Sequence, residues 1–171
     1  MGNLSTTTIL AGLLSTALSI GAVGAALADP SPRGGSASEP RDSQYAEAER
    51  AVKRGDYPTA IRLLEGVVAK NDRNADAYNL LAYSIRKSGD AAKAIPLYEK
   101  ALAIDPKHRG AHEYIGEAYL MLGDIAKAKQ HLATLDKLCF MPCEEYSDLK
   151  KAVQAYESSG GKIKPTSQAN P

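Results

Sequence analysis

The sequence has no tryptophan, a single phenylalanine and only two cysteines among its 171 residues. Aromatic packing therefore falls to nine tyrosines, whose hydroxyls can reach water from the edge of a core. Two cysteines are too few to replace a hydrophobic core with a disulfide framework. Neither sign of charge is in surplus: 21 Lys and Arg stand against 20 Asp and Glu, a net of +1. That balance lacks the basic excess or stripe of a nucleic-acid binder. The length suits one domain with one core.

Charge is also missing locally. Residues 1–28 contain no Lys, Arg, Asp or Glu, and every charged side chain lies from Asp29 onward. Within them Ile9 to Leu27 is a run of Ile, Leu, Ala, Val, Gly, Ser and Thr. It ends in Ala26-Leu27-Ala28, a small-x-small pattern of the kind signal peptidase cleaves, before Asp29-Pro30. Residues 1–28 thus predict a signal peptide, although no Lys or Arg precedes the run. The alternative is an uncleaved anchor, because the run is just long enough to span a bilayer. No basic residue flanks it closely enough to fix an orientation. On either reading the rest is exported, periplasmic or secreted, with no membrane attachment once the signal is removed.

Residues 29–40 (DPSPRGGSASEP) are rich in Pro, Gly and Ser and read as a flexible linker. Residues 158–171 have the same character and are expected to be a disordered tail. The folded region is expected over 41–157.

Self-comparison of that region shows a period of 34 residues. Gly55-Asp56, Gly89-Asp90 and Gly123-Asp124 recur at this interval, as do Ala60, Ala94 and Ala128. Leu64, Tyr98 and Leu132 follow, then Val67, Ala101 and Leu135. Ahead of the second Gly, Tyr78, Leu81, Ala82 and Ile85 have the i, i+3, i+4, i+7 spacing of a helix face. Glycine ends such a helix because the residue after the C-cap takes a left-handed backbone. The Asp that follows can cap the next helix by accepting from its free amides. That second helix runs through Ala94, Leu97, Tyr98, Ala101 and Leu102 and stops at Asp105-Pro106. The small Ala at 60, 94 and 128 lets the two helices of each hairpin approach closely.

These residues resemble the tetratricopeptide-repeat (TPR) family. Residues 75–108 are similar to its pattern almost throughout, with Tyr78 at the large aromatic position and Ala94, Tyr98, Ala101 and Pro106 in the second helix. Repeat 109–142 keeps His112, Ile115, Gly116, Tyr119, Ala128 and Leu132. Repeat 41–74 departs most: Gln44 and Glu47 replace apolar residues and Asp72 replaces the Pro, as terminal repeats facing water often do. The fold implied is all-α, a right-handed α-solenoid of three hairpins with a capping helix at 143–157. Tyr146, Leu149, Val153 and Tyr156 lie on one side of that helix, Pro142 would stand near its first position, and Glu144 and Glu145 suit its positive end.

The resemblance further implies a concave groove lined by the first helix of each repeat, binding a peptide or protein without cofactor or catalysis. Mapped onto this chain, its lining would be Tyr45, Glu49, Val52 and Lys53, then Asp76, Asn79, Tyr83, Arg86 and Lys87, then Glu113, Glu117, Leu120 and Met121. That surface is basic in the middle and acidic at the third repeat. Any one of these residues can equally be an ordinary solvated helix position. Members that clamp the C-terminal carboxylate of heat-shock chaperones carry Lys and Asn where this chain has Tyr45, Glu49, Leu80, Gly110 and Tyr114. The clamp is absent, which argues against a cytosolic chaperone adaptor.

Cys139 and Cys143 bracket Phe140-Met141-Pro142 at the junction of the last repeat and the cap. In an exported protein they are expected to form a disulfide pinning the cap to the solenoid. The alternative is a redox or copper-handling role, since Cys143 would sit at a helix N-terminus and two thiolates beside Met141 suit Cu(I). Their x3 spacing is not that of thioredoxin-like motifs. His108 and His112, four apart, have a spacing metals use, but capping and packing account for them better, and no metal site is assigned. No Ser/His/Asp set, phosphate-binding Gly loop or zinc-type Cys/His cluster stands out. The expectation is a non-catalytic scaffold with an unidentified protein or peptide partner. Self-association through the exposed ends of so short a stack is possible in addition.

Overall fold

The computed structural model describes residues 43–141 and 143–162. The expected signal segment and linker, Pro142 and the end of the tail lie outside the described residues. Seven helices form the described region: α1 Ser43–Lys53, α2 Tyr57–Lys70, α3 Ala75–Lys87, α4 Ala91–Ile104, α5 Arg109–Met121, α6 Ile125–Leu138 and α7 Glu144–Ser158. Among the described residues there is no strand. No described helix is long and apolar enough to cross a membrane.

The punctuation of this chain of helices is local chemistry repeated. Gly55, Gly89 and Gly123 have φ of 74°, 102° and 83°, the left-handed backbone that glycine adopts without a Cβ clash. One residue on, Asp56, Asp90 and Asp124 accept from the amides of Thr59, Lys93 and Lys127 and start α2, α4 and α6. The helices on the other side of each junction are capped by the same geometry with different chemistry. Asn74 accepts from Ala77 N and the His108 ring from Ala111 N. The next residue in that column is Pro142, and α7 begins instead after Cys143, whose side chain makes no capping bond. With Cys143 as N-cap, the first helical position belongs to Glu144 rather than to Pro142.

Each hairpin packs through its alanines: Ala60, Ala94 and Ala128 are fully buried. Successive hairpins then stack, α2 on α3 and α4 on α5, with α7 against α5 and α6. Among the described residues α1 touches α3, α3 touches α5 and α5 touches α7, whereas α2, α4 and α6 do not touch one another. The odd-numbered helices therefore form the inner, concave layer and the even-numbered helices splay on the outer one.

The core runs the length of the stack. One cluster centres on Ala51, Leu64, Val67 and Leu81, the other on Tyr98, Ile115, Leu135 and Leu149, and Ile85, Leu97 and Tyr114 pack against both. The cap enters through Gly116, which leaves room for Leu149; a Cβ there would stand 2.6 Å from a Leu149 methyl. Gln44, a departure from the repeat pattern, is put to use in the first hairpin. Its amide donates to Leu63 O at 2.9 Å and accepts from Lys70 Nζ at 2.7 Å, in space opened by Gly66.

Candidate functional site: the concave helix layer

The inner layer brings three columns of side chains into register because α1, α3 and α5 repeat with the same phase. Of the residues expected to line it, Lys53 and Asp76 are exposed, and Tyr45, Glu49, Asn79, Lys87, Glu117 and Met121 are half-buried. Val52 and Leu120 belong to the core at 3% and 1% exposure, because neighbouring helices close over them. Tyr83, Arg86 and Glu113 are also buried, at 1%, 6% and 6%.

At the centre the residues interlock. Tyr83 and Tyr114 have ring centroids 4.9 Å apart, and the Arg86 guanidinium stands 5.3 Å from the first ring and 5.5 Å from the second. Arg86 Nη1 pairs with Glu117 Oε2 at 2.8 Å, and its Nε donates to Tyr98 Oη at 3.3 Å. A guanidinium is suited to this place: it stacks on aromatic faces and donates in several directions. Burial pushes the Tyr83 hydroxyl up to about 12. Burial and the nearby Arg86 lower the Lys87 ammonium from its usual range. The basic middle and acidic third repeat legible in the sequence are thus partly neutralised by each other, Arg86 against Glu117.

Among the described residues Glu113 has no such ion pair. Burial, reinforced by Glu117, Asp148 and Glu145, pushes its carboxyl up to about 8, against the opposing pull of Arg86. Among the described residues two further atoms of this layer, Asn79 Oδ1 and Arg86 Nη2, are shut away from solvent without a hydrogen bond.

Sequence reasoning missed Tyr114 as the partner of Tyr83, having placed it only as a departure from the clamp. The sequence also carries no sign that His131 Nδ1 lies 2.9 Å from His112 Nδ1 or that its ring stacks on Tyr119. His112 Nε2 reaches Pro106 O at 3.1 Å, so that nitrogen carries the proton and His112 Nδ1 accepts from His131. Burial and His112 lower His131 to about 4, which keeps it neutral. His108 spends Nδ1 on the α5 cap, while Nε2 lies at ion-pair distance, 3.1 Å, from Asp76 without completing a hydrogen bond. Cys139 and Cys143 are at disulfide distance and join the end of α6 to the start of α7. The loop between them exposes Phe140 and Met141.

Two family models, each described as tetratricopeptide repeat, match residues 45–109 and 86–152, together more than half of the chain. The chain belongs to the tetratricopeptide-repeat family. No curated protein matches this TPR sequence. Solved TPR structures match its fold. The type III secretion translocator chaperone SycD of Yersinia enterocolitica is 18% identical, with TM-score 0.63, over 70% of this chain and 85% of that one. The same chaperone in complex with a peptide of the translocator YopD is 19% identical, with TM-score 0.59, over 68% and 88%. The TPR2B domain of yeast Sti1, in a complex with pHsp70, is 16% identical, with TM-score 0.63, over 68% and 95%.

Proposed function

We propose that this TPR protein is a non-catalytic interaction scaffold whose concave layer binds a protein or peptide partner, in an exported compartment. The observation that carries the reading is the inner helix layer itself. It sets the half-buried Tyr45, Asn79, Lys87 and Glu117 and the exposed Lys53 and Asp76 around a preformed Tyr83–Arg86–Tyr114–Glu117 cluster. Such a surface suits an extended chain, which supplies alternating N–H and C=O groups. The complexes of SycD with a YopD peptide and of the yeast Sti1 domain with pHsp70 support the reading by likeness of fold. Export rests on the uncharged run ending at Ala28.

The test is affinity capture from the exported fraction with Lys53→Glu and Asp76→Lys variants, chosen because both side chains are exposed and neither belongs to the buried cluster; Asp76 also lies 3.1 Å from His108 Nε2, so the helical circular dichroism of that variant is checked first. Loss of one specific partner supports the groove. Full retention of that partner by both variants, and by Tyr45→Ala, contradicts it. Secretion of the mature chain, starting at Asp29, is read from the N-terminal sequence of the same preparation; retention in the cytosol would refute export.

A further inference from the structure

Among the described residues three polar groups of the concave layer lack hydrogen-bond partners, and they differ in kind and in access. Asn79 Oδ1 is an acceptor without a donor, and Arg86 Nη2 a donor without an acceptor. Both atoms are shut away from solvent, so neither is offered to a partner. The third group is the Glu113 carboxyl, 6% exposed and with neither hydrogen bond nor ion pair among the described residues. Its surroundings make the gap specific. Glu117 on its own helix and Glu145 and Asp148 on α7 disfavour a charge there, and Arg86 on α3, which favours it, is already bound to Glu117 at 2.8 Å.

The protein also displays how a basic side chain is seated in this wall. Arg86 lies against the rings of Tyr83 and Tyr114 while it pairs with Glu117. Glu113, one helical turn before Glu117, offers a carboxyl without the cation. Among the described residues no three of His, Cys, Asp or Glu converge closely enough to hold a metal ion, so a side-chain cation fits this wall better than a metal.

We infer that the groove selects an extended partner segment that sets a lysine or arginine against Glu113. The inference rests on the concave-groove reading above. It carries a chemical consequence. As the partner's cation arrives, the Glu113 carboxyl gives its proton to the solvent and forms a charge-assisted bond to the ammonium or guanidinium.

The probe is a positional-scanning library of acetylated decapeptides, applied to the full chain and to its Glu113→Gln and Asp148→Asn variants. Libraries fixed as Lys or Arg at one position should bind at least tenfold more tightly than those fixed as norleucine or Glu. Glu113→Gln, nearly isosteric and without the repelled charge, should abolish the preference while keeping the helical circular dichroism. Asp148→Asn should reduce it by a smaller factor. Calorimetry of the selected peptide at pH 7 in phosphate and in Tris should show proton release for the wild type and none for Glu113→Gln. A selected peptide without a basic residue, a preference that survives Glu113→Gln, or no positional preference at all overturns the inference. Where such a peptide still perturbs amide resonances of α1, α3 and α5, the groove reading stands; where it perturbs α2, α4 and α6, both fail.

Discussion

Replacing Gly116 by alanine sets two effects of comparable size against each other. In an exposed helix the change gains about 1 kcal/mol, the difference in propensity between the two residues. Here the new methyl would lie 2.6 and 2.8 Å from the two methyls of Leu149. Leu149 is fully buried, so it cannot swing into solvent, and α7 must shift or the side chain leave its rotamer. Overpacking of this kind costs about 1–3 kcal/mol. The net expectation is a loss of about 1 kcal/mol. Leu149→Ala on its own removes a core side chain and costs about 2–5 kcal/mol. In that background the space is vacant, and Gly116→Ala should then stabilise by about 1 kcal/mol. The sign reverses, a coupling of about 2 kcal/mol between the two sites. Urea unfolding followed by far-ultraviolet circular dichroism on all four proteins measures it. An equal effect of Gly116→Ala in both backgrounds would refute the docking of α7 on α5.

Arg86→Met should destabilise by about 1–3 kcal/mol, because it leaves the half-buried Glu117 without its cation and the Tyr98 hydroxyl without its donor; denaturant unfolding reads the loss. Asn74→Ala should cost about 1 kcal/mol by freeing the Ala77 amide, and exchange of that amide should quicken. Reduction of Cys139–Cys143 should lower stability by only about 2 kcal/mol, given the small loop it closes, and leave the helical signal intact. Glu113 titrates near 8 in the folded chain against about 4.5 unfolded, so the folded state binds the extra proton between these values. Its contribution is full below about 4.5 and is lost as pH rises through about 8, with a slope of at most about 1.4 kcal/mol per pH unit. His131, lowered to about 4, adds an opposite slope below about 6.5 in both proteins, so the slope of Glu113 is read from the difference in unfolding free energy between the wild type and Glu113→Gln at pH 5, 6.5 and 8.

The period of 34 carried the architecture because it is written in residues whose conformation is local. Gly55, Gly89 and Gly123 need a left-handed backbone, and the Asp after each needs only the next turn's amides. The fully buried alanines at 60, 94 and 128 were legible for the same reason. Less legible was what depends on two repeats at once. Arg86 and Glu117 were each placed on the groove, yet their pairing requires the stagger of α3 against α5. His131 meets His112 only through the crossing of α6 on α5. Gln44 read as a defect of the first hairpin because its use depends on Gly66, across that hairpin. The burial of Val52 and Leu120 had the same origin: helix phase put them on the inner face, and neighbouring helices then covered them.

The concave assignment is tested most directly by placing a photoreactive benzoylphenylalanine at four exposed positions, Lys53 and Asp76 on the inner layer and Glu65 and Lys100 on the outer helices. Illumination of the protein in its native compartment should cross-link one and the same partner from positions 53 and 76 and leave 65 and 100 unlinked. Cross-links to that partner from Glu65 or Lys100, with none from Lys53 or Asp76, would contradict the account.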